Sequence, residues 1–111
     1  MPRDYKVYLD DILQAITKVR EYTAGFSMVE LAGDTKTFDA VVRNLEVIGE
    51  AAKGVPEAIR FQHPEVDWKR ISGLRDILIH QYFGVDAQII WDIIQNKLPT
   101  LEQQIRNMVR G

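Results

Sequence analysis

An all-α fold, an antiparallel bundle of four to five helices, is what this 111-residue chain predicts. Three observations lead there. Apolar residues recur at steps of three and four over long stretches. Glycine, proline and short polar residues punctuate the intervals where a helix stops or starts. No segment alternates apolar and polar residues between hairpin turns, as strands require. The length suits one hydrophobic core and is too short for two, so residues 1–111 are expected to form a single domain.

The first helix is expected from about Asp4 to Tyr22, where Tyr5, Leu9, Ile12, Ile16 and Val19 make one buried stripe. GFSMVELAGDTKT breaks that pattern, with Gly25 and Gly33 as helix stops and Asp34 or Thr35 as the N-cap of the next helix. This second helix runs from about Lys36 to Lys53 and turns Phe38, Val41, Leu45, Ile48 and Ala52 inward, until Gly54 and Pro56 end it. PEAIRF forms a short helix or turn. Pro64 disfavours helix at His63, and Asp67 caps a third main helix from Trp68 to Tyr82. Asp86 caps the last, in which Ile90, Ile94, Leu98, Leu101, Ile105 and Met108 keep the period across Pro99, with a kink or restart near Leu98. Gly49 and Gly73, inside helices, are expected to allow close helix approach.

The apolar coverage is wide for so small a bundle. Ile89, Ile90, Trp91, Ile93 and Ile94 leave almost no polar side, and Tyr8, Ala15 and Tyr22 give the first helix a second face. A homodimer that buries a helix face is the expected solution. Trp68 and Trp91 fall within apolar periods, so they read as core or dimer anchors.

Charge and composition exclude several classes of function. A net charge of −2 and a pI near 5.6 argue against holding nucleic acid by bulk electrostatics, so any such contact is local. The absence of cysteine removes disulfides, thiolate metal sites and thiol nucleophiles. No apolar run approaches the ~20 residues of a membrane span, and PRDYKVYLDD has no apolar signal core, so a cytoplasmic protein is expected. No metal or cofactor is expected: Glu46 and Glu50 lack the Glu-x-x-His pairs of a helical dimetal site, and His63 is not placed to help. With Arg43 and Lys53, these glutamates form either a salt-bridged polar stripe or, through Glu46 or Glu50, a brace for Arg75.

GLRDILIHQYFGVD, residues 73–86, brings Arg75, His80 and Tyr82 together on the third main helix. In an ideal helix Arg75 and His80 are about 140° apart and about 7.5 Å along the axis, whereas Arg75 and Tyr82 nearly eclipse. The first two border one cleft only if the helix loosens near its end, which Gly84 would permit, or if a second copy supplies the other wall. Arginine offers a permanently charged planar fork for phosphate and histidine moves protons near neutrality, a pair suited to phosphodiester cleavage. The same residues also read as a histidine favouring a helix C-terminus, an arginine in a surface ion pair beside Asp76, and a packed tyrosine.

RDILIHQY matches the Arg-x4-His-x-Tyr signature, and the flanks NLEVIGEAAK, PEAIRFQHPEVDWKRISGLRD and YFGVDAQIIWDIIQNKLPTLEQQI extend the likeness from about residue 4 to 110. The chain thereby resembles the HepT-like toxins of the HEPN superfamily. It departs from them at Asp76, a position that is often asparagine in the family. The resemblance implies a HEPN-like helical homodimer whose two motifs meet at the dimer interface, and a metal-independent endoribonuclease activity. It makes His80 the general acid and base at the ribose 2′-hydroxyl, Arg75 the stabiliser of phosphorane charge, and Asp76 a supporting residue. It further implies a toxin of a type VII-like toxin–antitoxin system, whose partner is an MntA-like minimal nucleotidyltransferase antitoxin that transfers AMP to Tyr82. Lys69 and Arg70, one turn earlier, are either phosphate contacts for the RNA substrate or solubility charges. The rival reading is a non-catalytic helical dimer that serves as partner or substrate of the nucleotidyltransferase.

Overall fold

The computed structural model describes residues 4–80 and 87–110, with the side chains of Arg75, Ile77, Ile79 and His80 outside the description. Helix α1 spans Tyr5–Thr23, α2 Met28–Gly33, α3 Thr35–Gly54, α4 Glu57–Gln62, α5 Trp68–His80, α6 Ala87–Asp92 and α7 Leu98–Arg110. A π-helical turn, Ile93–Lys97, joins the last two. Among the described residues there is no strand. The all-α reading is therefore correct: α1 and α3 stand where the periodicity placed them, α4 is the short helix or turn expected at PEAIRF, and α5 starts at Trp68 as expected. Tyr82 and the Asp86 cap lie outside the described residues.

Two local features refine the expectations. Where a plain break was expected, α2 forms, because Ser27 and Glu30 make a capping box. The Glu30 N–H donates to Ser27 Oγ at 3.2 Å and the Ser27 N–H donates to Glu30 Oε1 at 3.1 Å. At the other end of the chain, Pro99 cannot donate to the carbonyl four residues back, and its ring crowds that carbonyl. The helix accommodates it by widening just before the proline, where the Leu98 N–H reaches back five residues to the Ile93 carbonyl.

Asp34, rather than Thr35, caps α3: its Oδ1 accepts from the Thr37 N–H at 3.0 Å. That hydrogen bond, followed by one from the Thr37 side chain and the nearby Lys36 charge, holds the carboxyl below its ordinary pKa of 3.8. A carboxyl depressed by folding contributes stability that is complete above the ordinary value and is lost as pH falls through the folded one. Wild type is thus expected to lose more melting temperature between about pH 5 and pH 3 than Asp34→Asn, which keeps an acceptor oxygen but does not titrate. Equal losses in a thermal melt would show that the cap contributes nothing to acid sensitivity.

Leu9, Ile12, Ile16 and Val19 of α1 meet Val41, Leu45, Ile48 and Ala52 of α3 in one buried cluster, which Ile90, Ile94, Leu98, Leu101, Ile105 and Met108 complete. Every inward residue expected of α1, α3 and the last helix is in this core or packed against it, with Tyr5 and Phe38 only partly buried. Helix α3 is central, packing on α1 to one side and α5 on the other, while α7 closes against α1. Glu102 of α7 ties this closure by accepting from Arg20 of α1.

Of the two glycine expectations, the one for Gly73 needs correction. Gly73 has open space around it, with nothing within 4 Å of the place a Cβ would take, so it does not mediate close approach. Gly54 does: there a Cβ would sit 2.5 Å from the Tyr8 ring, so α1 and the end of α3 meet only because the side chain is missing. Gly49 is buried within α3. Among the described residues no helix is long and apolar enough to cross a membrane.

Candidate active site

Helix α5 carries Arg75 and His80 of the motif, and its first turn is anchored firmly. Asp67 Oδ1 accepts from the Arg70 N–H at 3.2 Å, capping the helix. Trp68, at 7% exposure, belongs to the core, and its indole Nε1 donates to the His63 carbonyl at 3.0 Å. The aromatic body is buried while its one polar group is satisfied, which pins α5 to the end of α4. Leu78 is buried ten residues further along, and Ile71 packs against the core between them.

This burial pattern orients the helix. Counting about 100° per residue, Trp68, Ile71 and Leu78 define the core-facing arc, and register position 75 falls inside it. Positions 69, 73 and 76 define another arc that faces a groove, and register position 80 falls there. The chain is α-helical without interruption through His80, so positions 75 and 80 keep their separation of about 140° and about 7.5 Å. Between these two residues the helix does not loosen.

Around the motif, the other candidates separate. Asp76 accepts an ion pair from Lys53 Nζ of α3 at 3.3 Å. Both side chains are substantially exposed, so the pair contributes at most about 1 kcal/mol, yet it offsets the carboxylate charge next to Arg75. Nothing in the spacing of residues 53 and 76 announces this partner, because it depends on how α3 crosses α5. Lys69 is exposed on the groove side, whereas Arg70 points to another cavity of about 530 Å³ and pairs with Asp67 at 3.6 Å. The polar stripe of α3 is in part salt-bridged, Arg43 pairing with Glu46 at 3.6 Å, and Glu50 is exposed. His63 faces Glu65 at 3.3 Å, outside this arrangement. Trp91 is partly buried against the core. Among the described residues no three His, Cys, Asp or Glu side chains cluster closely enough to hold a metal ion.

Comparison with known proteins adds what geometry alone does not. The family model for HepT-like ribonucleases matches residues 12–108, nearly the whole chain and the entire motif. The chain belongs to the HepT-like ribonuclease family. Among its HepT-like relatives, a protein of Thermococcus cleftensis named "Probable ribonuclease HepT" is 39% identical, over 97% of this chain and 98% of its own. A Methanocaldococcus jannaschii protein named a "Putative RNase" is 42% identical over 99% of this chain and 92% of its own. Another "Putative RNase", from Caldanaerobacter subterraneus, is 43% identical over 93% and 92%. No solved structure matches this HepT-like chain.

Proposed function

We propose that the protein is a metal-independent endoribonuclease and acts as the toxin of a toxin–antitoxin pair. The observation that carries this reading is the placement of Arg75 and His80 on one uninterrupted helix of a chain that belongs to a ribonuclease family. His80 takes the proton from a ribose 2′-hydroxyl, and the freed oxygen attacks the adjacent phosphorus. As the new O2′–P bond forms, the bond from phosphorus to the 5′-oxygen breaks, and that oxygen receives a proton from an imidazolium. The products are a 2′,3′-cyclic phosphate and a 5′-hydroxyl. Arg75 offsets the extra negative charge of the phosphorane, which a forked guanidinium suits.

Two copies form the working unit in this reading. Positions 75 and 80 are about 140° apart around one helix, and in this reading a partner chain supplies the second wall of the cleft. Val29 of α2 and Ile89 of α6, 74% and 55% exposed on helices that pack together, supply apolar surface for such pairing. Regulation in the same reading is AMP transfer: the Tyr82 oxygen attacks the α-phosphate of ATP on an MntA-like nucleotidyltransferase, and pyrophosphate leaves. The added bulk and negative charge then block RNA.

Incubating unmodified wild-type protein with total RNA in EDTA tests the activity. Fragments ending in 2′,3′-cyclic phosphate are expected. Intact RNA after exposure to verified unmodified dimer would remove the nuclease reading and leave the non-catalytic partner protein in its place.

A further inference from the structure

The groove between α4 and α5 plays no part in the chemistry described so far, and its lining is unusual for a chain of net charge −2. It is an open cleft of about 1040 Å³ into which Lys53, Arg60 and Lys69 project, against the two carboxylates Glu57 and Asp76. Lys53 already neutralises Asp76, so the local balance is positive. Phe61 stands on the wall at 86% exposure, the most exposed large hydrophobic residue among those described. On the same walls, Arg60 Nε and Ser72 Oγ are buried and have no hydrogen-bond partner among the described residues. Gly73 leaves the α5 wall open at mid-length.

We propose that this groove binds single-stranded RNA, with a base stacked on Phe61 and phosphates held by Arg60 and Lys69, and feeds the strand along α5 to the position of His80. The choice of polymer rests on the ribonuclease reading. The stacking is general to nucleic-acid bases, because every base has a π-face, and cations interleaved with an exposed aromatic are the usual means of holding a single strand without reading its sequence. Register supplies the direction. Positions 69, 73, 76 and 80 lie on one arc of α5, and from 69 to 80 the axis advances about 16 Å, the length of four to five stacked nucleotides at about 3.4 Å each. A duplex, whose bases are already stacked on one another, has no face to offer Phe61.

The test is the affinity of the full-length protein for a fluorescent 12-nucleotide 2′-O-methyl RNA, which lacks the attacking hydroxyl and is bound without being cut. Wild type is compared with Phe61→Ala, with Gly73→Leu, which fills the groove from a site with space for it, and with Lys69→Ala. Roughly ten-fold weaker binding is expected for the first two. For Lys69→Ala, the slope of log affinity against log salt is expected to fall by about one. A duplex of the same sequence is expected to compete poorly. Affinities within two-fold of wild type across the variants, or no binding by wild type, would overturn the proposal. So would a change in oligomeric mass for Phe61→Ala with RNA affinity intact, since the phenylalanine would then be a contact between copies. Cleavage of unmodified RNA is measured alongside. Weakened binding in the variants with no cleavage by wild type removes the nuclease and keeps the groove, whereas cleavage with unaltered binding does the reverse.

Discussion

Replacing His80 by alanine is expected to lower the single-turnover rate of RNA cleavage by two to four orders of magnitude, the usual contribution of a positioned acid or base. The fold is expected to survive the change. Register position 80 lies on the arc of α5 opposite Trp68, Ile71 and Leu78, and a thermal melt checks that the variant keeps the fold. Position 75 lies in the core-facing arc, and Arg75→Ala removes charge and volume together. Arg75→Lys is the more informative companion: it keeps the charge and discards the bidentate fork. Rates at saturating RNA, read beside thermal melts, check both. A His80→Ala protein that cuts as fast as wild type removes the acid–base role.

Replacing Ile48 by alanine is expected to cost about 2–5 kcal/mol of unfolding free energy, the range for deleting most of a buried aliphatic side chain. Ile48 is fully buried in α3, the helix that packs on both α1 and α5, so a cavity there weakens the support of the motif as well as the bundle. Phe61→Ala, at a highly exposed position, is the matched contrast and is expected within about 0.5 kcal/mol of wild type. Urea unfolding of the two variants separates these outcomes. A loss below about 1 kcal/mol for Ile48→Ala would mean that α3 is not the centre of the core.

Most of the fold is legible in the letters because burial imposes a period. Leu9, Ile12, Ile16 and Val19, or Leu101, Ile105 and Met108, announce a helix and its inner face at once. Helix α2 escapes that test, since six residues with only Leu31 buried are too few to show a period, although the Ser27 and Glu30 capping box marks its start. The glycines could not be sorted from sequence. Whether Gly54 or Gly73 admits a neighbour depends on which helix passes by, and Tyr8 is 46 positions away from Gly54 in the chain. The motif shows its chemistry by residue type alone. Its surroundings do not: the Lys53–Asp76 pair and the α4–α5 groove are assembled from three separate helices, and no short spacing encodes them.

The π turn before Pro99 carries a consequence for the whole carboxy-terminal arm. Ile90, Ile94 and Leu98 are spaced by four and four, a step that in an unbroken α-helix would rotate the buried stripe by about 80° over two turns. A wide turn holds one residue more than an α-helical one, and that surplus residue takes up most of the rotation, so Ile90 and Leu98 still face the same core. The segment therefore acts as a phase corrector. The chain cannot gain or lose a single residue there without swinging α6 around its axis by about 100°, away from the core that α7 fills. Natural variation in length is tolerable in the connections between helices, but between Ile93 and Lys97 the count of residues is itself a structural constraint.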